Sequence, residues 1–139
     1  MIKDNPAIQK LLSLKLPVSD YAVMGRAVMF AHGLKPIDND IDIIARNRAW
    51  EIAQTYGKIE QPISKVGNKI SLFNGEIEIF DDWAPGVWNI NKLINSADLI
   101  EGIPFVKLRY VLELKRISNR EKDQKHIKLI ESHFKSKQL

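Results

Sequence analysis

The 139-residue chain contains no cysteine, which excludes disulfides, thiolate metal sites and cysteine nucleophiles together. No apolar run approaches the roughly 20 residues that a membrane-spanning helix needs. The opening Met1-Ile2-Lys3-Asp4-Asn5-Pro6 lacks the apolar stretch of a signal peptide. Internal repeats, low-complexity tracts and Ser/Gly-rich linkers are missing too, so nothing marks a domain boundary. What is left is 45% hydrophobic and 27% charged, an ordinary globular balance. The expectation is one cytoplasmic domain over residues 1–139, with no membrane partner.

Acidic charge is scarce only in the last third. Residues 101–139 carry ten Lys and Arg against five Asp and Glu, whereas residues 1–100 carry eleven against twelve. Seven of those twelve acids fall in two clusters, Asp38/Asp40/Asp42 and Glu76/Glu78/Asp81/Asp82. Clustered acids beside a basic C-terminal region suggest a metal or acidic site near a surface that attracts anions. A basic helical tail that only solvates itself would look the same, and nucleic acid is permitted as a partner without being required.

Asn5-Pro6 is a helix start, and Ile8, Leu11 and Leu12 share the face that follows, up to Pro17. Tyr21–Met24 reads as a buried strand ending at Gly25, and 26–32 as a helix stopped by Gly33. Residues 40–45 alternate acid and isoleucine as a strand does, and Asn47–Tyr56 is helical with Gly57 closing it. Strands at 69–73 and 76–80 flank Asn74-Gly75, a strong hairpin signal. Ile90–Asn95 forms a short helix. The stretch 106–115 alternates like a strand, but its length and its Leu, Glu, Lys and Arg favour helix. Ser118-x-x-Glu121 has the spacing of a capping box and opens a last helix to about 135. The fold class is α/β (α+β): a mixed sheet flanked by helices, its core at about 18–82, with C-terminal helices at about 104–136.

The chemistry concentrates in Asp38-Asn39-Asp40-Ile41-Asp42-Ile43-Ile44. In a strand Asp40 and Asp42 point to one face, where like charges repel and aspartate is a poor strand former. Divalent cations with oxygen ligands supply the compensation such a pair needs; otherwise the acids are the wet face of an edge strand. Glu76-Ile77-Glu78-Ile79 repeats the alternation and offers a third acid from a neighbouring strand. Gly25, after a strand and before a helix, sits where backbone N–H groups can receive a phosphate.

Taken in order, Val23-Met24-Gly25-Arg26-Ala27, Gly33-Leu34-Lys35, Asp40-Ile41-Asp42 and Ile77-Glu78-Ile79-Phe80 resemble the nucleotidyltransferase superfamily related to polymerase beta, in its small bacterial form. Leu114-Lys115 and Arg120-x-Lys122-Asp123 echo C-terminal helices of some bacterial members. The resemblance implies transfer of a nucleoside monophosphate from a nucleoside triphosphate, such as ATP, to a hydroxyl on a nucleic acid, protein or small molecule. It implies Asp40, Asp42 and Glu78 as ligands of two Mg²⁺ (or Mn²⁺) ions, with Glu78 also drawing the acceptor's proton. Gly25, Arg26, Lys35 and Lys115 become the nucleotide contacts. Arg26 stands where the family usually has a small residue, and Glu78 where it usually has Asp. Hence a second reading: a catalytically degenerate binding module, such as one member of a toxin–antitoxin pair, whose partner is a protein.

Other residues carry blander alternatives. Lys35, Lys115 and Arg120 could be solvated loop and helix cations. His32 at a helix end is expected to be structural, Trp83 and Trp88 to pin their loop rather than stack a base, and Asp81 and Asp82 to be turn residues. A nuclease site of Asp98 with Glu113-x-Lys115 requires 106–115 to be a strand.

Overall fold

The structure is a computed structural model and describes residues 1–37 and 40–137. Asp38 of the first acidic cluster lies outside the described residues. After a single 3₁₀ turn the elements are α1 (Pro6–Ser13), β1 (Tyr21–Met24), α2 (Arg26–Ala31), β2 (Ile41–Ala45) and α3 (Asn47–Tyr56). They continue with β3 (Ile59–Glu60), β4 (Lys69–Leu72), β5 (Ile77–Phe80), α4 (Ile90–Asn95), β6 (Asp98–Ile100) and β7 (Ile103–Phe105). Helices α5 (Leu108–Ser118) and α6 (Glu121–Ser136) complete the described chain.

The fold is mixed α/β. Among the described residues seven strands make one sheet in the order β3-β4-β5-β2-β1-β7-β6. Its centre is fully buried: Tyr21 to Met24 of β1, and Ile41, Ile43, Ile44 and Ala45 of β2. β1 runs antiparallel to β2, β2 runs parallel to β5, and β1 parallel to β7. Strands covered on both faces read as continuous apolar runs, and Tyr21–Met24 is one. In β2 the run is broken at one position only, Asp42.

Local chemistry sets the boundaries. Asn5 Oδ1 accepts from the N–H groups of Ala7 (2.8 Å) and Ile8 (3.2 Å), as an N-cap does, with Pro6 in the first turn. Ile8 and Leu11 are buried, but Leu12 turns outward, so the apolar face is narrower than the spacing predicts. The turn between β4 and β5 spans four residues, of which Phe73, Asn74 and Gly75 all have positive φ. The hairpin is therefore longer than a two-residue Asn-Gly turn.

Two expectations need correction. Residues 98–105, given no strand above, form the β6/β7 hairpin, in which Pro104 sits opposite Leu99. Ser118 does not cap the last helix. It ends α5, and its hydroxyl donates to Asp123 at 2.6 Å. Asp123 closes the start of α6 by accepting from the Arg120 backbone N–H at 2.9 Å. The helical choice for 106–115 holds as α5, which removes the nuclease arrangement; Asp98 instead accepts from Lys107 at 2.6 Å. Among the described residues no helix is long and apolar enough to cross a membrane.

Candidate functional site

The pairing of β1, β2 and β5 places three of the expected site residues side by side. Met24 lies opposite Asp42 across β1/β2, and Asp42 lies level with Glu78 across β2/β5. Gly25 follows Met24 with φ +73° and ψ −145°, a conformation that L side chains rarely adopt. A Cβ there would lie 3.5 Å from Asp42 Oδ2, an ordinary contact, so the backbone angle rather than space calls for glycine. The turn at Gly25 starts α2 and brings Arg26 over the carboxylates.

Asp42 faces an open cleft of about 570 Å³. One wall is Gly25, Arg26 and Asp42; the other comes from α5 and α6, with Lys115, Arg120, Lys122 and His126. Trp83, Ala84 and Pro85 form the rim. The basic C-terminal region is thus folded back over the acids, which answers the charge asymmetry of the sequence.

Electrostatics set Asp42 apart. Its pKa is pushed up to about 6, first by burial, then by the neighbouring charge of Glu78, with Asp40 adding to it; Arg26 and Lys69 offset part. Glu78 accepts from Lys69 Nζ at 2.7 Å, a bond that raises the lysine's pKa. It lines a second, smaller pocket of about 190 Å³ with Lys69, Phe80 and Trp83, contiguous with the cleft at Trp83 and Ala84. Asp40 precedes β2, is largely exposed, and lies 3.9 Å from the Arg26 guanidinium. Asp42 and Glu78 therefore adjoin, while Asp40 stands apart with Arg26. Glu76 turns to Lys10 instead of the site.

These positions test the expected metal. An all-oxygen donor set suits a hard divalent cation, and the raised Asp42 carboxyl records negative charge that such a cation would relieve. Against this, among the described residues no group of three or more His, Asp or Glu side chains is placed to hold a metal ion. The fit is to Asp42, with Asp40 near it; Glu78 adds a ligand only on release from Lys69.

The opposite wall has its own buried ion pair. Lys115 and Asp123 are both buried, 3.7 Å apart. Burial opposes the Asp123 charge, yet bonds from Arg120 and Ser118 hold its carboxyl far below the ordinary range. Burial lowers the Lys115 pKa although Asp123 favours its charge. Lys35 approaches the cleft from the loop after α2, with Nζ 3.5 Å from His126 Nε2.

Of the expected residues, then, Gly25, Arg26, Asp42 and Lys115 share the cleft, Lys35 reaches its edge, and Glu78 flanks it. Two partners escape the sequence reading. Lys69 is separated from Glu78 by a hairpin, and nothing in composition pairs them. His126 had a usable signal: Arg120, Asp123 and His126 are spaced by three and fall on one helical face. His32 is structural as expected, edge-on to His133 at 5.7 Å. Trp88 donates to the Pro85 carbonyl at 2.7 Å and pins its loop, while Trp83 packs edge-on to Phe80. Asp81 and Asp82 accept from backbone N–H groups of Asn68 and Trp83, as turn residues do. Compared with family models, curated proteins and solved structures, the chain matches none.

Proposed function

We propose that the chain is a nucleotidyltransferase of the polymerase-beta-related type, moving a nucleoside monophosphate from a nucleoside triphosphate to a hydroxyl acceptor. The observation that carries this reading is Gly25 and Asp42 facing a cationic wall across one cleft, with Glu78 level with Asp42 on the next strand and flanking that cleft. A carboxylate row opposite cations suits a substrate that is a polyanion carried with divalent metal.

Each residue then has a task. The backbone at Gly25 lets a phosphate oxygen approach, because no side chain stands over it. Arg26, Lys35, Lys115, Arg120 and Lys122 hold the triphosphate by charge; Arg26 and Arg120 can do so as bidentate forks. Asp42 and Asp40 would hold Mg²⁺ or Mn²⁺, which when bound neutralises the triphosphate and polarises the oxygens at the transferred phosphorus. Glu78, beside Asp42 and bordering the second pocket, is positioned to draw the acceptor's proton once Lys69 releases it. The acceptor (nucleic acid, protein or small molecule) enters from that side.

The second reading, a degenerate binding module paired with a protein as in a toxin–antitoxin couple, draws on one observation. Glu78 is bonded to Lys69, and Asp40 faces Arg26, so two of the three acids already have cationic neighbours.

Calorimetric titration of each nucleoside triphosphate, with and without Mg²⁺, separates the two. The transferase reading expects Mg²⁺-dependent binding that Asp42→Asn weakens at least tenfold, about 1.4 kcal/mol. Absence of triphosphate binding to folded wild type overturns it and leaves the protein-binding module.

A further inference from the structure

We infer that His126 is a phosphate ligand of the cleft that takes up a proton when a polyphosphate chain enters. This rests on reading the cleft as a polyphosphate site, and it adds a residue that the acid row and the basic motif do not include.

The geometry around the ring is specific. An ammonium group has only donors, so at 3.5 Å the Lys35 Nζ makes His126 Nε2 the acceptor and places the ring hydrogen on Nδ1. His126 Nδ1 is buried with no hydrogen-bond partner. The ring is thus held neutral by a lysine on one side and left unsatisfied on the other, within a half-buried position on the cleft wall. His32 Nε2 is likewise buried without a partner, but His32 does not line the cleft, whereas His126 does.

Every element packed around the ring contributes charge. Lys35 comes from the loop after α2, Arg26 from α2, Lys115 from α5, and Asp123 from α6. Arg120, Glu121, Lys122 and Lys125 share the adjoining surface of α6. Burial first, then Lys115 and Lys35, depress the His126 pKa to about 4, and Asp123 opposes them. Asp123 itself is committed to Arg120 and Ser118. Among the described residues, the cations facing the ring outnumber the acids at this end of the cleft.

A polyphosphate reverses that balance. Its oxygens draw Lys35 away from Nε2 and screen Lys115. Nε2 then gains a proton from solvent and donates it in a charge-assisted bond to a phosphate oxygen. No covalent bond is made or broken in the process. Binding should be proton-linked, tighter in mild acid than in mild base.

The test is a ring-proton NMR titration of the full-length protein, with inorganic tripolyphosphate as the probe. His126→Gln assigns the signal against His32 and His133. The expected result is a midpoint for His126 that rises by at least one pH unit on saturation, while those of His32 and His133 stay in place. Lys35→Met should raise the ligand-free midpoint and shrink the shift, which checks the device in a variant that keeps the histidine. An unmoved midpoint at saturation overturns the role of His126, and absence of saturable tripolyphosphate binding overturns the phosphate site as well. Mg-ATP titrated in parallel keeps the two readings distinguishable. Saturable Mg-ATP binding with an unmoved His126 sinks this inference and leaves the transferase reading standing.

Discussion

Two carboxylates, one lining the cleft and one buried behind its opposite wall, live in opposite circumstances. Asp123, between α5 and α6, is fully buried, yet it is surrounded by donors: Ser118 Oγ at 2.6 Å, the Arg120 backbone N–H at 2.9 Å and its Nε at 3.0 Å, with Lys115 at 3.7 Å. Asp42, on β2, is half-buried beside another acid, with no comparable hydrogen bond among the described residues, and its pKa is driven up to about 6. The first charge is consumed inside the fold. The second is kept at a cost to the fold, a cost that a cation arriving beside it would relieve. That contrast separates a structural acid from a functional one more sharply than burial alone does.

The largest expected effect comes from breaking the satisfied side. Asp123→Asn leaves Lys115 buried without its counter-charge and strips Arg120 of its carboxylate. Removing one partner of a buried pair costs about 3–5 kcal/mol. The sign with pH is fixed by the depressed carboxyl: its contribution is present above the ordinary carboxylate range and is lost as pH falls below it. Urea unfolding at pH 7 should show the full loss, and the gap between the variant and wild type should narrow in strong acid.

The opposite substitution should have the opposite sign. Asp42→Asn removes a charge that the fold disfavours, so at pH 7.5 it should raise stability. A displacement from 3.8 to about 6, in which the attractions to Arg26 and Lys69 are already counted, sets an upper bound of about 3 kcal/mol on the gain. Between about pH 4 and 6 the folded chain holds a proton that the unfolded chain has released, so wild-type stability falls as pH rises through that window. The variant should be flat there. If Asp42→Asn instead destabilises at pH 7.5, Asp42 is a second structural acid and the contrast collapses.

Sequence reached one side of this comparison far more readily than the other. Strand β1, the acid pair and the hairpin were legible because period-2 alternation, Gly25 and Asn74-Gly75 are local signals. Helix α3 was legible to its last residue, since Gly57 ends it. The β6/β7 hairpin was not, because Pro104 inside a three-residue strand argues against a strand in any local reading, and here that strand lies between β1 and β6 rather than at the sheet edge where proline is expected. Ser118 carried a capping spacing that was real but belonged to a different geometry: its hydroxyl serves Asp123 across a helix–helix turn. The Lys69–Glu78 bond and the Lys35–His126 contact join residues across a hairpin and across the whole chain, which no periodicity records. The placement of Asp42 and Glu78 was therefore readable, and what neutralises each of them was not.

The smallest effect tests that last point, because Lys69 bonds directly to Glu78 in the acid row. Its pair with Glu78 is partly exposed, with side chains 20% and 29% accessible, so Lys69→Met should change stability by under about 1 kcal/mol in either direction. Its consequence for Asp42 is more telling. Lys69 is one of the charges holding the Asp42 carboxyl down, so its removal should move the Asp42 midpoint upward by a few tenths of a pH unit and leave Asp123 unmoved on the far wall. Carboxyl-carbon NMR resolves both midpoints in one titration. A shift at Asp42 alone shows that the acid row titrates as a coupled unit, separate from the α5–α6 pair. Equal shifts at both would mean that the cleft is one electrostatic body, in which case the division between a consumed and a retained charge would have to be drawn elsewhere than between its two walls.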